Sequence, residues 1–117
     1  GDIRVVMNIG LVGNTKLTKK ALISFLEMGE KVRYVFGLPP EKLKSKVNAV
    51  DLVEICKANN IEYDCSGNWL NLCDQRLDLI VVLGDSRIVP PMVLENNHVI
   101  GNHGAALPQV QGAATLV

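Results

Sequence analysis

The run Leu77–Leu83, LDLIVVL, constrains the fold of this chain more than any other stretch. It is too short for a typical helix, and apart from Asp78 it is aliphatic throughout, so neither face can be left to water. A strand buried on both faces belongs to a parallel sheet covered by helices on each side. An antiparallel sheet with one wet face would alternate instead.

Weaker runs of the same kind recur along the chain. Ile3–Ile9 (IRVVMNI) reads as a first strand ending at Gly10, followed by a polar turn, GNT. Leu17, Ala21, Leu22, Phe25 and Met28 then recur at helical spacing, with Thr15 or Thr18 able to cap the start and Gly29 able to end the helix. Lys31–Phe36 is the second strand, and GLPPEKLKSK after it reads as a loop. Asn48 and Asp51 resemble a capping arrangement for a helix reaching about Asn59, with Leu52, Val53 and Cys56 as its apolar stripe. Ile61–Asp64 is a short third strand, and Trp69, Leu70 and Leu72 form a brief helical turn in which Trp69 packs or lines a pocket. A turn at Pro90–Leu94 leads to the last strand, His98–Asn102. Strands alternating with helical crossovers predict a Rossmann-like α/β fold over residues 1–117: one domain with an open, mainly parallel sheet flanked by helices.

Composition agrees. The chain has 117 residues, 48% of them hydrophobic and only 4% aromatic, which implies an aliphatic core within one domain. Twelve basic residues balance twelve acidic ones, so no overall field selects nucleic acid or an anionic membrane. Cys56, Cys65 and Cys73 are odd in number and lack metal-ligand spacing, which points to free thiols in the cytoplasm and to no metal. No apolar run is long enough to span a membrane, and the N-terminus lacks the pattern of a signal peptide.

In an open parallel sheet, ligands bind beyond the carboxyl ends of the strands. Three such ends stand out: residues 10–14, 84–91 and 101–112. The first contains GLVG, a weak dinucleotide signal without an acidic residue at the end of the second strand. Lys42, Lys44 and Lys46 form either a solvated loop face or a contact for an anionic substrate. The other two ends follow consecutive strands and carry more specific patterns: GDSRIVP at 84–90 and IGNHGAALPQVQG at 100–112.

A strand, then G-x-S-R-I-V-P, then I-G-x-H-x-x-x-L-P-x-x-x-G resembles the N-terminal domain of the folate-dependent formyltransferases. That family includes methionyl-tRNA, glycinamide ribonucleotide and sugar-nucleotide amine formyltransferases. The likeness extends to IRVVMNIG, LISFLEMGEKVRYVFGLP and DLVEICKANNIEYD, nearly the whole chain. It implies transfer of a formyl group from N10-formyltetrahydrofolate to an amine, with an aminosugar nucleotide as the expected acceptor and tRNA involved only if the acceptor is methionyl-tRNA. An oligomer is compatible with it. His103, five positions before Pro108, matches the family's active-site histidine. Gly84, Ser86, Arg87, Ile88 and Val89 match the segment whose backbone lies along the pterin, while Leu107 and Pro108 shape the pocket wall and Gly112 permits a turn. His98, at the opposite end of its strand, reads as surface or structural.

The chain departs from the family in two places. Most relatives carry Asn two residues before the histidine, where this chain has Gly101; the adjacent Asn102 is the candidate substitute, although it points the other way in an extended strand. No acidic residue follows Glu95, whereas the family's catalytic Asp lies well downstream of the histidine. Asp85 is an alternative base, or else a brace for its turn. The sequence is therefore expected to be part of a longer enzyme whose sheet continues past the fifth strand. Two other readings stand beside this one: a catalytically silent module of the same fold, and a nucleotide-binding domain using GLVG.

Overall fold

The computed structural model describes residues 7–46, 48–83 and 89–101. Five strands, β1 (Asn8–Val12), β2 (Lys31–Phe36), β3 (Glu62–Asp64), β4 (Leu79–Val82) and β5 (Val99–Gly101), form one sheet. Its order is β3-β2-β1-β4-β5, and every pair is parallel. The connections hold helices α1 (Lys16–Glu27), α2 (Pro40–Leu43), α3 (Val53–Ala58), α4 (Trp69–Cys73) and α5 (Pro91–Asn96). This is the open Rossmann-like α/β architecture expected from LDLIVVL.

The order of the strands explains why there are two cores. The chain winds outward from β1 to β3, then returns to the other side of β1 and continues outward to β5. Right-handed crossovers put helices on one face during the first half and on the opposite face after the reversal. Accordingly, Leu22 of α1 packs with Leu52, which precedes α3, and Cys56 of α3 on Ile9, Leu11, Val35 and Val81. On the other face, Leu72 of α4 and Val93 of α5 pack on Val12, Tyr34, Phe36, Ile80 and Val82. Alternate residues of β4 thus serve both cores, which is why its sequence does not alternate.

Four local expectations need correction. The first strand does not end at Gly10, which lies inside β1; the chain breaks at Gly13 instead. Gly10 is a residue of close approach, since a Cβ there would collide with the side chain of Leu77. The buried stripe of α1 is also turned from the expected one: Thr18 and Leu22 are fully buried, whereas Leu17 and Met28 are 44% and 59% exposed. Burial of a hydroxyl was not expected, and it becomes possible because Thr18 is hydrogen-bonded. Asn48 does not cap α3; it has a left-handed φ of 67°, and Asp51 Oδ1 accepts the Val53 N–H at 2.9 Å. The connection after β2, read as loop, contains the four-residue α2, with Pro40 in its first turn and Leu43 buried.

Other ends follow their sequence signals. Thr15 and Thr18 form a reciprocal capping box at the start of α1, and Gly29 follows its C-cap with φ 79°. Trp69 packs against Phe36, with ring centroids 4.6 Å apart. Cys56, Cys65 and Cys73 are free thiols. Burial, with a smaller contribution from Asp51, pushes the Cys56 thiol up to about 11, so it acts as a core residue rather than a nucleophile.

Candidate functional site

The carboxyl edge of the sheet divides at β1. On its β4 side, Ile80, Val81 and Val82 pair with Val99, Ile100 and Gly101. This register brings Val82 and Gly101 level, so the two strands that precede the 84–90 and 102–112 patterns finish side by side. The sequence leads directly from Leu83 into the first pattern and from Gly101 into the second.

Leu83 is held through both of its backbone polar groups. Its N–H donates to the Val12 carbonyl at 3.0 Å, and its carbonyl accepts from the Thr18 hydroxyl at 2.8 Å. Thr18 can reach because α1 begins immediately beyond β1, at a turn that comes very close to β4. At Gly13, with φ 140°, a Cβ would collide with the Leu83 carbonyl oxygen and lie 2.7 Å from Thr18 Oγ1. Only glycine permits this approach without strain.

On the other side of β1, the strand ends are tied to one another. Asn14, 5% exposed, donates from Nδ2 to Tyr63 Oη at 2.7 Å and to the Val50 carbonyl at 3.3 Å. Its Oδ1 accepts from the Leu38 N–H at 2.7 Å, and Tyr63 Oη donates to the Leu38 carbonyl at 2.7 Å. The Asn14 carbonyl accepts from Val50 N at 2.6 Å, beside an antiparallel bridge between Thr15 and Ala49. The segment entering α3 therefore lies against the β1–α1 turn. A dinucleotide pyrophosphate needs that turn's backbone open to it. Here the Val50 N–H and the Thr15–Ala49 bridge lie against that turn.

A second polar pair closes β3. Tyr34 Oη donates to Asp64 Oδ2, and Asp64 Oδ1 accepts from Ser66 N at 2.8 Å. Burial, then the bond to Asp64 and its charge, push the Tyr34 hydroxyl well above its ordinary value. Burial also pushes the Asp64 carboxyl upward, but hydrogen bonds from Tyr34, Ser66 and Asn71 outweigh it and hold the group below its usual range. Burial raises Tyr63 as well, against the opposing bond from Asn14. These groups keep fixed protonation states near neutral pH and serve as ties rather than acids or bases.

Of the residues singled out from the sequence, Gly84, Ser86, Arg87, Ile88, Asn102, His103 and Leu107 lie outside the described residues, as do Asp85, Pro108 and Gly112. Val89 is described: its side chain is 1% exposed and packs in the α4–α5 core, which leaves its main chain as the part able to meet a ligand. His98 is exposed at the amino end of β5, where its carbonyl accepts from Ile80 N at 2.8 Å. Lys42, Lys44 and Lys46 are exposed. Among the described residues, no three His, Cys, Asp or Glu side chains are grouped to hold a metal, and no helix is long and apolar enough to cross a membrane. Sequence reading missed Asn14, Tyr63, the Tyr34–Asp64 pair and the bond from Thr18 to Leu83. The signals for them were weak: a polar residue at a strand-to-helix turn, and a tyrosine on the buried phase of β2.

Compared with known proteins, the chain matches no family model and no curated sequence.

Proposed function

We propose that the chain forms the donor-binding part of a folate-dependent amine formyltransferase, using N10-formyltetrahydrofolate. The observation that carries this reading is the parallel β4–β5 pairing with Val82 level with Gly101, since the two sequence patterns of the resemblance must begin next to each other to share one ligand. The buried side chain of Val89 also suits a segment that reads a pterin through its main chain.

In the proposed reaction, an acceptor amine attacks the formyl carbon. The carbonyl oxygen gains charge, the amine loses a proton, and the bond from carbon to N10 breaks as N10 takes up a proton and leaves as tetrahydrofolate. His103 is the group assigned to the oxyanion or the proton, with Asn102 as a second donor. Gly84, Ser86, Arg87, Ile88 and Val89 hold the donor, and Leu107 helps exclude water. An aminosugar nucleotide is the proposed acceptor.

Calorimetry with 5-formyltetrahydrofolate, a chemically stable formyl-folate, tests the reading directly. Saturable binding by the folded protein supports it, and absence of binding rejects it. Binding without formyl transfer to any amine would make the protein a silent module of the same fold.

A further inference from the structure

Among the described residues, helices cover only part of the sheet face that carries α1 and α3. Those two pack beside β1, β2 and β3, while α4 and α5 lie on the opposite face. Val81 of β4 belongs to the α1 core and is level with Ile100 of β5, and level residues of paired strands share a face. Ile100 is therefore on the α1 face, where it is 47% exposed. The flank of α1 turned toward it is apolar too. Leu26 lines a groove with Asn59, Asn60 and Glu62, which turns its side of the helix toward α3 and β3. Leu17, Ala21 and Met28 lie on the other side, one above another, with Leu17 and Met28 exposed and Ala21 half-buried.

Flank and sheet face together make an apolar shelf. Two strands span about 10 Å and the flank from Leu17 to Met28 about 16 Å, which is room for one helix of about three turns. A parallel sheet is stable with helices on both faces, so an exposed part of one face calls for a cover. The charges along α1 give that cover a polarity. Exposed Lys16 and Lys20 stand near the start of α1 and exposed Glu27 near its end, and its first turn holds no acid and its last no base. A helix beside α1 and parallel to it meets those charges with an acidic first turn and a basic last turn, the distribution that its own dipole favours. We infer that this shelf docks an amphipathic helix of a partner protein, apolar along one face, acidic in its first turn and basic in its last, running parallel to α1. The inference uses none of the residues assigned to formyl transfer, so it stands or falls separately from that reading.

Two synthetic helical peptides with the same leucine stripe test it, one with Glu in its first turn and Lys in its last, the other with the two ends exchanged. Calorimetry is expected to show saturable binding of the first and about tenfold weaker binding of the second. Lys20→Glu combined with Glu27→Lys should reverse that preference, which a difference in peptide helicity alone would not do. Leu17→Lys and Ile100→Lys should each weaken binding of the first peptide about tenfold while melting temperatures stay at the wild-type value, because both side chains are exposed. No binding of the first peptide, or equal affinity for the two, overturns the inference. A fall in melting temperature in both lysine variants would mean that the protein covers this face with its own chain, and self-association lost in the same variants would make a second copy the occupant; either result overturns it.

Discussion

The two halves of the sheet's carboxyl edge are built differently. Around β1, β2 and β3, side chains close the strand ends: Asn14 joins Tyr63, Leu38 and Val50, while Tyr34 and Asp64 pair beside them. At β4 and β5, the ends are aligned by backbone pairing and by the Thr18 tie to Leu83, and each leads into a sequence pattern rich in chemical groups. The contrast separates two uses of polar residues. In the first half they satisfy one another and fix loops over the sheet; in the second, the proposed function assigns them to a ligand. A doubly wound sheet offers its crevice where the strand order reverses, here between β1 and β4.

The largest expected effect falls on the β4–β5 half. His103→Ala should lower formyl transfer by about 10²- to 10⁴-fold in a rate assay, with little change in melting temperature. A variant retaining full activity would remove the histidine from the site and blur the contrast. On the other half, Asn14→Ala should destabilise by about 1–3 kcal/mol in urea unfolding, because half-buried partners at Leu38, Tyr63 and Val50 lose their bonds together. A loss below about 0.5 kcal/mol would show that these strand ends are not held together by Asn14.

A smaller effect is expected at Tyr34–Asp64, where Tyr34→Phe should cost about 1–3 kcal/mol near neutral pH. The pair also sets a pH dependence. Asp64 is lowered in the folded protein, so its contribution is present above the unfolded value of about 4 and is lost as pH falls below it. Tyr34 is raised, so its contribution is present below about 10 and declines as pH rises beyond that value. Urea midpoints across both windows should show the two slopes in the wild type, with the alkaline one removed and the acidic one reduced in Tyr34→Phe. Parallel curves would reject the coupling. The smallest effect is expected of His98→Ala, within about 0.5 kcal/mol and without change in transfer, because this exposed side chain stands at the opposite edge.

Much of the architecture was legible from apolar periodicity. Lys31–Phe36 was read with its observed bounds, and the continuous LDLIVVL run foretold a strand that feeds two cores. Periodicity failed where a contact distant in sequence decided the outcome. Gly10 looked like a strand end because glycine is common at turns, yet it sits inside β1 to make room for Leu77. In β2, the register shift opposite Ile9 and Gly10 moves Arg33 out of the regular alternation, so Val32 and Tyr34 enter different cores despite being two residues apart. The tied strand ends were hidden for the same reason: Asn14, Leu38, Val50 and Tyr63 have no local pattern in common.

Sequence by itself determined the alternation of strands and helices and the parallel two-sided sheet, because these follow from residue spacing within short windows, and its motifs carry the resemblance on which the formyl-transfer proposal rests. Tertiary structure decided which strand ends meet, that Asn14 ties those of β1, β2 and β3, and that Thr18 reaches Leu83. Those outcomes depend on side chains and backbone groups brought together across tens of residues. Buried polar groups must find partners wherever the fold places them, and local sequence cannot name a partner that only the fold supplies.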